Sequence, residues 1–148
     1  MAWLKAMMEK EPPEPENPIG IVVIGNLKGD RVHQSAKNQV RNALKRAQFK
    51  TVDLGKDVPC DKFTSKAKEL NADIIAVSVN TAPAKDNLPK LCSTIKAAGL
   101  MDKVVVMIGG AAVDEEDADK ICAAYGQTKE EAVAMAKKAM EKKKYKMQ

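Results

Sequence analysis

A short run that is apolar and mostly β-branched throughout, Ile19 to Ile24, is the feature that most constrains what this chain can fold into. A strand with no polar face is buried on both sides, the condition of a strand inside a parallel sheet covered by helices. The rest of the chain repeats that logic. Ala36, Val40, Ala43, Leu44 and Ala47 recur at helical spacing, Lys50 to Leu54 reads as a second strand, and a helix after Pro59 carries Phe63, Ala67 and Leu70. Asp73 to Ser78 is a third strand, and Leu88, Leu91, Cys92 and Ile95 mark a third helix. Val104 to Ile108 is a fourth strand, with a short helix over Asp114 to Cys122. Thr128, with Glu131 three residues later, starts a last helix whose buried stripe is Ala132, Val133, Ala136 and Met140. Between Cys122 and Gly126 there is room only for a vestigial fifth strand. Right-handed crossovers then give an α/β fold, a doubly wound parallel sheet in flavodoxin-like order 2-1-3-4-5.

The 148 residues suffice for one domain that buries roughly 70% of its unfolded surface. We place that domain at residues 19–148 and assign 1–18 to an N-terminal helix followed by a proline-rich spacer, Glu11 to Pro18, which cannot be helical. Trp3, Leu4, Met7 and Met8 share one side of that helix, which is too short to stand alone in water and so calls for something to dock on. Met1 to Lys10 lacks the features of a secretory signal, and no apolar run approaches the ~18 residues needed to cross a bilayer. The expectation is a cytoplasmic protein with no membrane role. The net charge of +5 belongs entirely to residues 132–148, which hold six lysines and one glutamate; residues 1–131 sum to zero. With only five scattered aromatics besides, there is no stacking platform, and no nucleic-acid partner is expected. Cys60, Cys92 and Cys122, about thirty residues apart, suggest neither a disulfide framework nor a zinc site and read as reduced, semi-buried core residues.

In open sheets of this kind ligands sit beyond the carboxyl ends of the strands, at the switch point between strands 1 and 3. Three unusual segments fall there: the long loop Gly25 to Gln34 with the chain's single histidine, His33; the small polar turn Ser78-Val79-Asn80-Thr81-Ala82-Pro83; and Gly109-Gly110-Ala111-Ala112, which admits something bulky close to the backbone. Several occupants fail. A phosphoacceptor domain wants a carboxylate where Ser78 stands. A flavin wants a Ser/Thr-rich loop and aromatics, and a dinucleotide wants three spaced glycines where only Gly25 and Gly29 are present. A hydrolase pairing of Ser78 with His33 lacks a third group to orient it. What remains is a flat, bulky ligand needing one imidazole and a slot lined by small residues. Taken singly, each feature also has an ordinary reading: a surface histidine, a helix cap at Ser78, a tight turn at Gly109-Gly110.

Four segments in order, Gly29 to Asn38, Phe49 to Pro59, Ala76-Val77-Ser78 and Val106 to Ala111, resemble the cobalamin-binding domain, and most closely the corrinoid proteins of methyltransferase systems. The resemblance spans about residues 19–140. It implies cobalamin as cofactor and His33 as the ligand that binds cobalt from below, displacing the cofactor's own dimethylbenzimidazole, whose nucleotide tail fills the slot beside the sheet. The cofactor-binding set it implies is Asp30, Arg31, Val32, His33, Gln34, Ala36, Ser78, Asn80, Thr81, Gly109, Gly110 and Tyr125, the last packing over the far side of the slot. No residue of this chain is expected to be catalytic.

Two positions depart from the family pattern Asp-x-His-x-x-Gly. Two residues before His33 stands Arg31, with Asp30 one position earlier, and three residues after it stands Ala36 instead of glycine. If the loop bulges by one residue, Asp30 still takes the ring's other proton; if Arg31 lies beside the ring, its charge depresses imidazole basicity. Ala36 adds a methyl where the tail passes. The resemblance further implies a carrier of a methyl group on cobalt, a component of a methyltransferase system more than an enzyme by itself. Its partners are then a substrate-side and an acceptor-side methyltransferase, or a subunit that caps the corrinoid, because the family's four-helix cap has only one short helix in its place here. The small cobalamin-binding subunit of an adenosylcobalamin-dependent mutase and a degenerate, non-catalytic cobalamin-binding domain are the other classes the resemblance leaves open.

Overall fold

Five parallel strands, β1 (Gly20–Asn26), β2 (Phe49–Asp53), β3 (Ile74–Ser78), β4 (Val105–Gly109) and β5 (Ala124–Tyr125), pair in the order β2-β1-β3-β4-β5. The computed structural model describes residues 11–146. The expected helix before them lies outside the described residues. Helices α1 (Gln34–Arg46), α2 (Cys60–Leu70), α3 (Ala82–Lys85), α4 (Leu88–Ala97), α5 (Glu115–Lys120) and α6 (Lys129–Lys146) fill the crossovers and the end of the chain. The doubly wound architecture expected from the alternating pattern is therefore the one observed, and none of the helices is long and apolar enough among the described residues to cross a membrane.

Because strand side chains alternate faces, each strand feeds two cores. Val22, Ile24, Ile74, Ala76 and Met107 pack beneath α1 and α6 with Leu44, Phe49, Ala132, Ala136 and Ala139. Val23, Ile75, Val77, Val106 and Ile108 pack on the other face with Phe63, Leu91 and Ile95 of α2 and α4. Removing a fully buried ring such as Phe63 costs about 3–5 kcal/mol. The buried alanines of α6 let that helix lie close to the sheet. Half of the capping box the Thr128/Glu131 spacing predicts is formed: the Glu131 N–H donates to Thr128 Oγ1 at 3.1 Å, while Glu131 Oε2 reaches one residue farther back and accepts from the Gln127 N–H at 2.7 Å.

Two features of the fold were not visible in the pattern. The proline-rich spacer is held down on α1, with Lys45 Nζ 2.7 Å from Glu11 Oε1 and 3.2 Å from Glu14 Oε1, and Arg41 3.4 Å from the same Glu11 oxygen. Burial works against the Lys45 charge, but the hydrogen bonds from Glu11 and Glu14 outweigh it and raise the ammonium above its ordinary value. The second concerns the thiols. All three are free, Cys60 buried and Cys92 half-buried as expected, but Cys122 is exposed: it sits at φ 55° in the turn after α5, outside the core.

Candidate cofactor site at the carboxyl edge

Beyond Asn26 the chain leaves the sheet but keeps the strand's company for two more residues. The Leu27 N–H donates to the Ser78 carbonyl at 3.1 Å and the Lys28 N–H to the Val58 carbonyl at 2.9 Å. Gly29 then turns at φ +106°, where a side chain would strike the Ala84 backbone nitrogen at 2.6 Å, so only glycine lets this loop nest against α3. Asp57 fastens the turn, accepting the Gly29 N–H at 2.9 Å and giving its own N–H to the Asp30 carbonyl at 2.9 Å.

The turn delivers Asp30, fully buried, to the end of β1. Its Oδ1 accepts the backbone N–H groups of Val32 and His33, each at 3.1 Å, and lies 2.9 Å from His33 Nδ1. Its Oδ2 accepts from Asn26 Nδ2 at 3.1 Å and Asn80 Nδ2 at 3.0 Å. Burial alone would raise the Asp30 pKa, but hydrogen bonds from Asn80, His33 and Asn26 outweigh it and hold the carboxyl well below the usual carboxylate range. An ionised carboxylate only accepts, so the proton between the two side chains sits on Nδ1; in the neutral imidazole that leaves the lone pair on Nε2. The His33 side chain is 49% exposed and that of Asp30 0%, so the ring projects from the rim while its partner anchors it.

Of the two geometries the one-residue displacement left open, the bulged loop is the one formed. Arg31 is the residue extruded: its side chain is 79% exposed and its Nε lies 3.1 Å from Asp57 Oδ2. Val32 beside it is 76% exposed. One turn into α1 from His33, Ala36 opens onto a crevice of about 360 Å³ between α1 and the start of α6, floored by Ile24, Ala76 and Met107 and edged by Ser78, Gly109 and Gly110. The two glycines belong there for steric reasons: a Cβ on Gly109 would meet the Gly126 carbonyl at 2.5 Å, and one on Gly110, at φ +121°, the Val79 carbonyl at 2.3 Å.

The remaining candidates divide. Gln34 accepts weakly from Lys37 Nζ at 3.4 Å. Thr81 caps α3, accepting the Ala84 N–H at 3.2 Å and donating to the Gly29 carbonyl at 2.9 Å, so its hydroxyl is committed to joining two loops. Asn80 lies behind the crevice instead of lining it. Tyr125 is on the other face of the sheet, packed against the α2/α4 core, because Ala124 takes the position facing α6 and the next residue of a strand must point the opposite way.

Four residues absent from the expected set, Asn26, Lys37, Asp53 and Arg41, surround the site. Asn26 donates to both Asp30 Oδ2 and the His33 carbonyl, at 3.0 Å for the latter, leaving its own Oδ1 buried without a partner. Lys37, 2% exposed, lines the crevice and pairs with Asp53 at 2.8 and 2.9 Å, and Asp53 also holds Arg41 at 2.9 Å. A polar residue closing an apolar strand, as Asn26 does, was the legible signal; the buried Lys37 had none.

An imidazole held at Nδ1 by a carboxylate has the orientation of a protein ligand to a metal. Among the described residues no cluster of three or more His, Cys, Asp or Glu could hold a metal ion. The B12 binding domain family matches residues 20–136. The chain belongs to that family. It is 41% identical over 135 residues to trimethylamine corrinoid protein 1 of Methanosarcina acetivorans, covering 90% of this chain and 62% of that protein. The monomethylamine corrinoid protein of Methanosarcina barkeri superposes with a TM-score of 0.80 at 25% identity, over 91% of this chain and 66% of that one. A cobalamin-binding protein from Desulfitobacterium hafniense superposes at 0.77 with 28% identity, over 81% and 58%. This B12 binding domain chain thus spans about three fifths of the length of the curated relatives it matches.

Proposed function

We propose that this chain is a corrinoid carrier: it binds cobalamin through His33, seats the nucleotide tail in the crevice between α1 and α6, and presents the cobalt to partner methyltransferases that load and unload a methyl group. The observation that carries the reading is the 2.9 Å contact of His33 Nδ1 with a buried, ionised Asp30, one helical turn from the crevice. Bound cobalamin supplies a cobalt centre able to accept and give up the methyl group. The chain supplies the rest. Asp30 fixes the tautomer, so that Nε2 is the nitrogen offered to the metal, and stabilises charge drawn from the ring. Arg31, committed to Asp57, does not oppose that. Gly109 and Gly110 edge the crevice the tail enters, and Ser78 offers a hydroxyl at the same edge.

The relatives' names direct the donor side towards methylated amines, recognised by the partner and not by this chain. The same reading places the carrier in the cytoplasm, where its three free thiols stay reduced. Titration of the purified chain with hydroxocobalamin, followed by absorbance, tests it. Saturable uptake with a histidine-coordinated spectrum that changes in His33→Ala is expected; no uptake, or identical spectra, contradicts it. Methyl loading from a methylated amine in the presence of an amine-side methyltransferase supports the carrier role, whereas selective tight binding of adenosylcobalamin supports a mutase subunit instead.

A further inference from the structure

Asn80 commits every polar atom of its side chain to a directed contact at the rim and yet does not line the crevice. Its Nδ2 donates to Asp30 Oδ2 at 3.0 Å and to Ser78 Oγ at 2.8 Å, and its Oδ1 accepts the Ala111 N–H at 3.1 Å. A carboxamide nitrogen has two protons, so both are used, and the oxygen is used as well. The orientation of the group is thereby fixed: reversed, its oxygen would face a carboxylate oxygen. One side chain therefore joins the loop after β1, which carries the imidazole, to the turns after β3 and β4, which edge the crevice. The β4 turn is tight against it, since a Cβ on Gly110 would come within 2.8 Å of Asn80 Oδ1.

We infer that Asn80 is a positioning residue for the lower metal ligand: by holding Asp30 Oδ2 it sets the direction of Oδ1, and so the tautomer and tilt of His33, and it locks that setting to the geometry of the tail crevice. The inference rests on His33 being the cobalt ligand. Asp30 has five hydrogen-bond donors among the described residues: His33 Nδ1 and the backbone N–H groups of Val32 and His33 on Oδ1, and the amides of Asn26 and Asn80 on Oδ2. Of these, only Asn80 reaches from outside β1 and its loop. Losing it leaves the Asp30 carboxylate held only by donors of its own segment, although Asp57 still holds the Asp30 backbone carbonyl at 2.9 Å.

The chain's single histidine makes the test clean, because every imidazole signal is His33. Asn80→Leu keeps the shape and removes all three hydrogen bonds; Asn80→Ala serves if the leucine variant does not fold. In the cobalamin-free chain, long-range 1H–15N correlation is expected to show a ring protonated at Nδ1 in the wild type and a mixture of tautomers in either variant. In the loaded chain, the fraction of bound cobalamin coordinated through histidine is expected to fall at least fivefold. Wild-type tautomer and wild-type coordination in a folded variant overturn the inference. If the wild type itself does not coordinate cobalt through histidine, the carrier reading falls, while the tautomer comparison in the cobalamin-free chain still decides the role of Asn80.

Discussion

Arg31 turns its guanidinium away from His33 and onto Asp57, Nε to Oδ2 at 3.1 Å. The loop after β1 has one residue more between aspartate and histidine than the family pattern, and this pairing shows where the surplus goes: outward, over the rim. The hydrogen bond from the Gly29 N–H, followed by the Arg31 contact, lowers the Asp57 pKa, so the acceptor is ionised at neutral pH. An exposed pair of this kind is screened by water and contributes little. Arg31→Ala is therefore expected to change cobalamin affinity by less than about fivefold, whereas Asp57→Ala, which also strips the acceptor from Gly29, weakens it by more. Equilibrium titration of the two variants checks the order.

Lys37 is enclosed, and among the described residues Asp53 is its only carboxylate partner within reach. Asp53→Asn strands a buried ammonium and is expected to destabilise the fold by about 3 kcal/mol, read by urea unfolding. Burial raises the Asp53 pKa, but hydrogen bonds from Lys37, the Gly55 N–H and Arg41 outweigh it, and the net shift is downward. A carboxyl depressed in the folded state adds stability that is complete above the ordinary carboxylate range and is lost as the pH falls below that range. The gap between wild type and Asp53→Asn should accordingly shrink on acidification. A gap independent of pH would mean that the pair is not ionic.

Ala36 stands at the mouth of the crevice where the family has glycine, and it is exposed. Ala36→Leu fills that mouth without touching either core. The expected result is a loss of cobalamin affinity of tenfold or more, about 1.4 kcal/mol, with binding of cobinamide, which has no nucleotide tail, nearly unchanged. Equal losses for both ligands would place the tail elsewhere.

How legible each residue was in the sequence depends on the kind of signal it carries. The sheet order was legible because β1, β3 and β4 are apolar runs between glycine, proline and amphipathic helical segments, a local pattern that tertiary packing reinforces. The short α3 was not, since four residues with Pro83 among them carry no periodicity and the cap at Thr81 is its only mark. His33, Ser78, Asn80, Gly109 and Gly110 stood out by position at the strand ends, and Asn26 as a polar close to an apolar strand. What the two asparagines hold did not stand out, because they act through hydrogen bonds to residues up to 50 positions away, as in Asn80 to Asp30, and such pairings leave no trace in spacing; the buried Lys37 carried no signal. Tyr125 was misplaced for a simpler reason. In a two-residue strand, one position decides the face, and Ala124 took the side that looks toward α6.

The most direct test uses the single histidine again. The chain is labelled with 15N-histidine, loaded with cobalamin and reduced by one electron to paramagnetic cobalt(II). Its electron paramagnetic resonance spectrum then reports the nucleus bound from below. Coupling to 15N of His33 splits each line into a doublet, and this is the result expected. A triplet, from 14N of the cofactor's own base, would contradict the claim that His33 has taken its place.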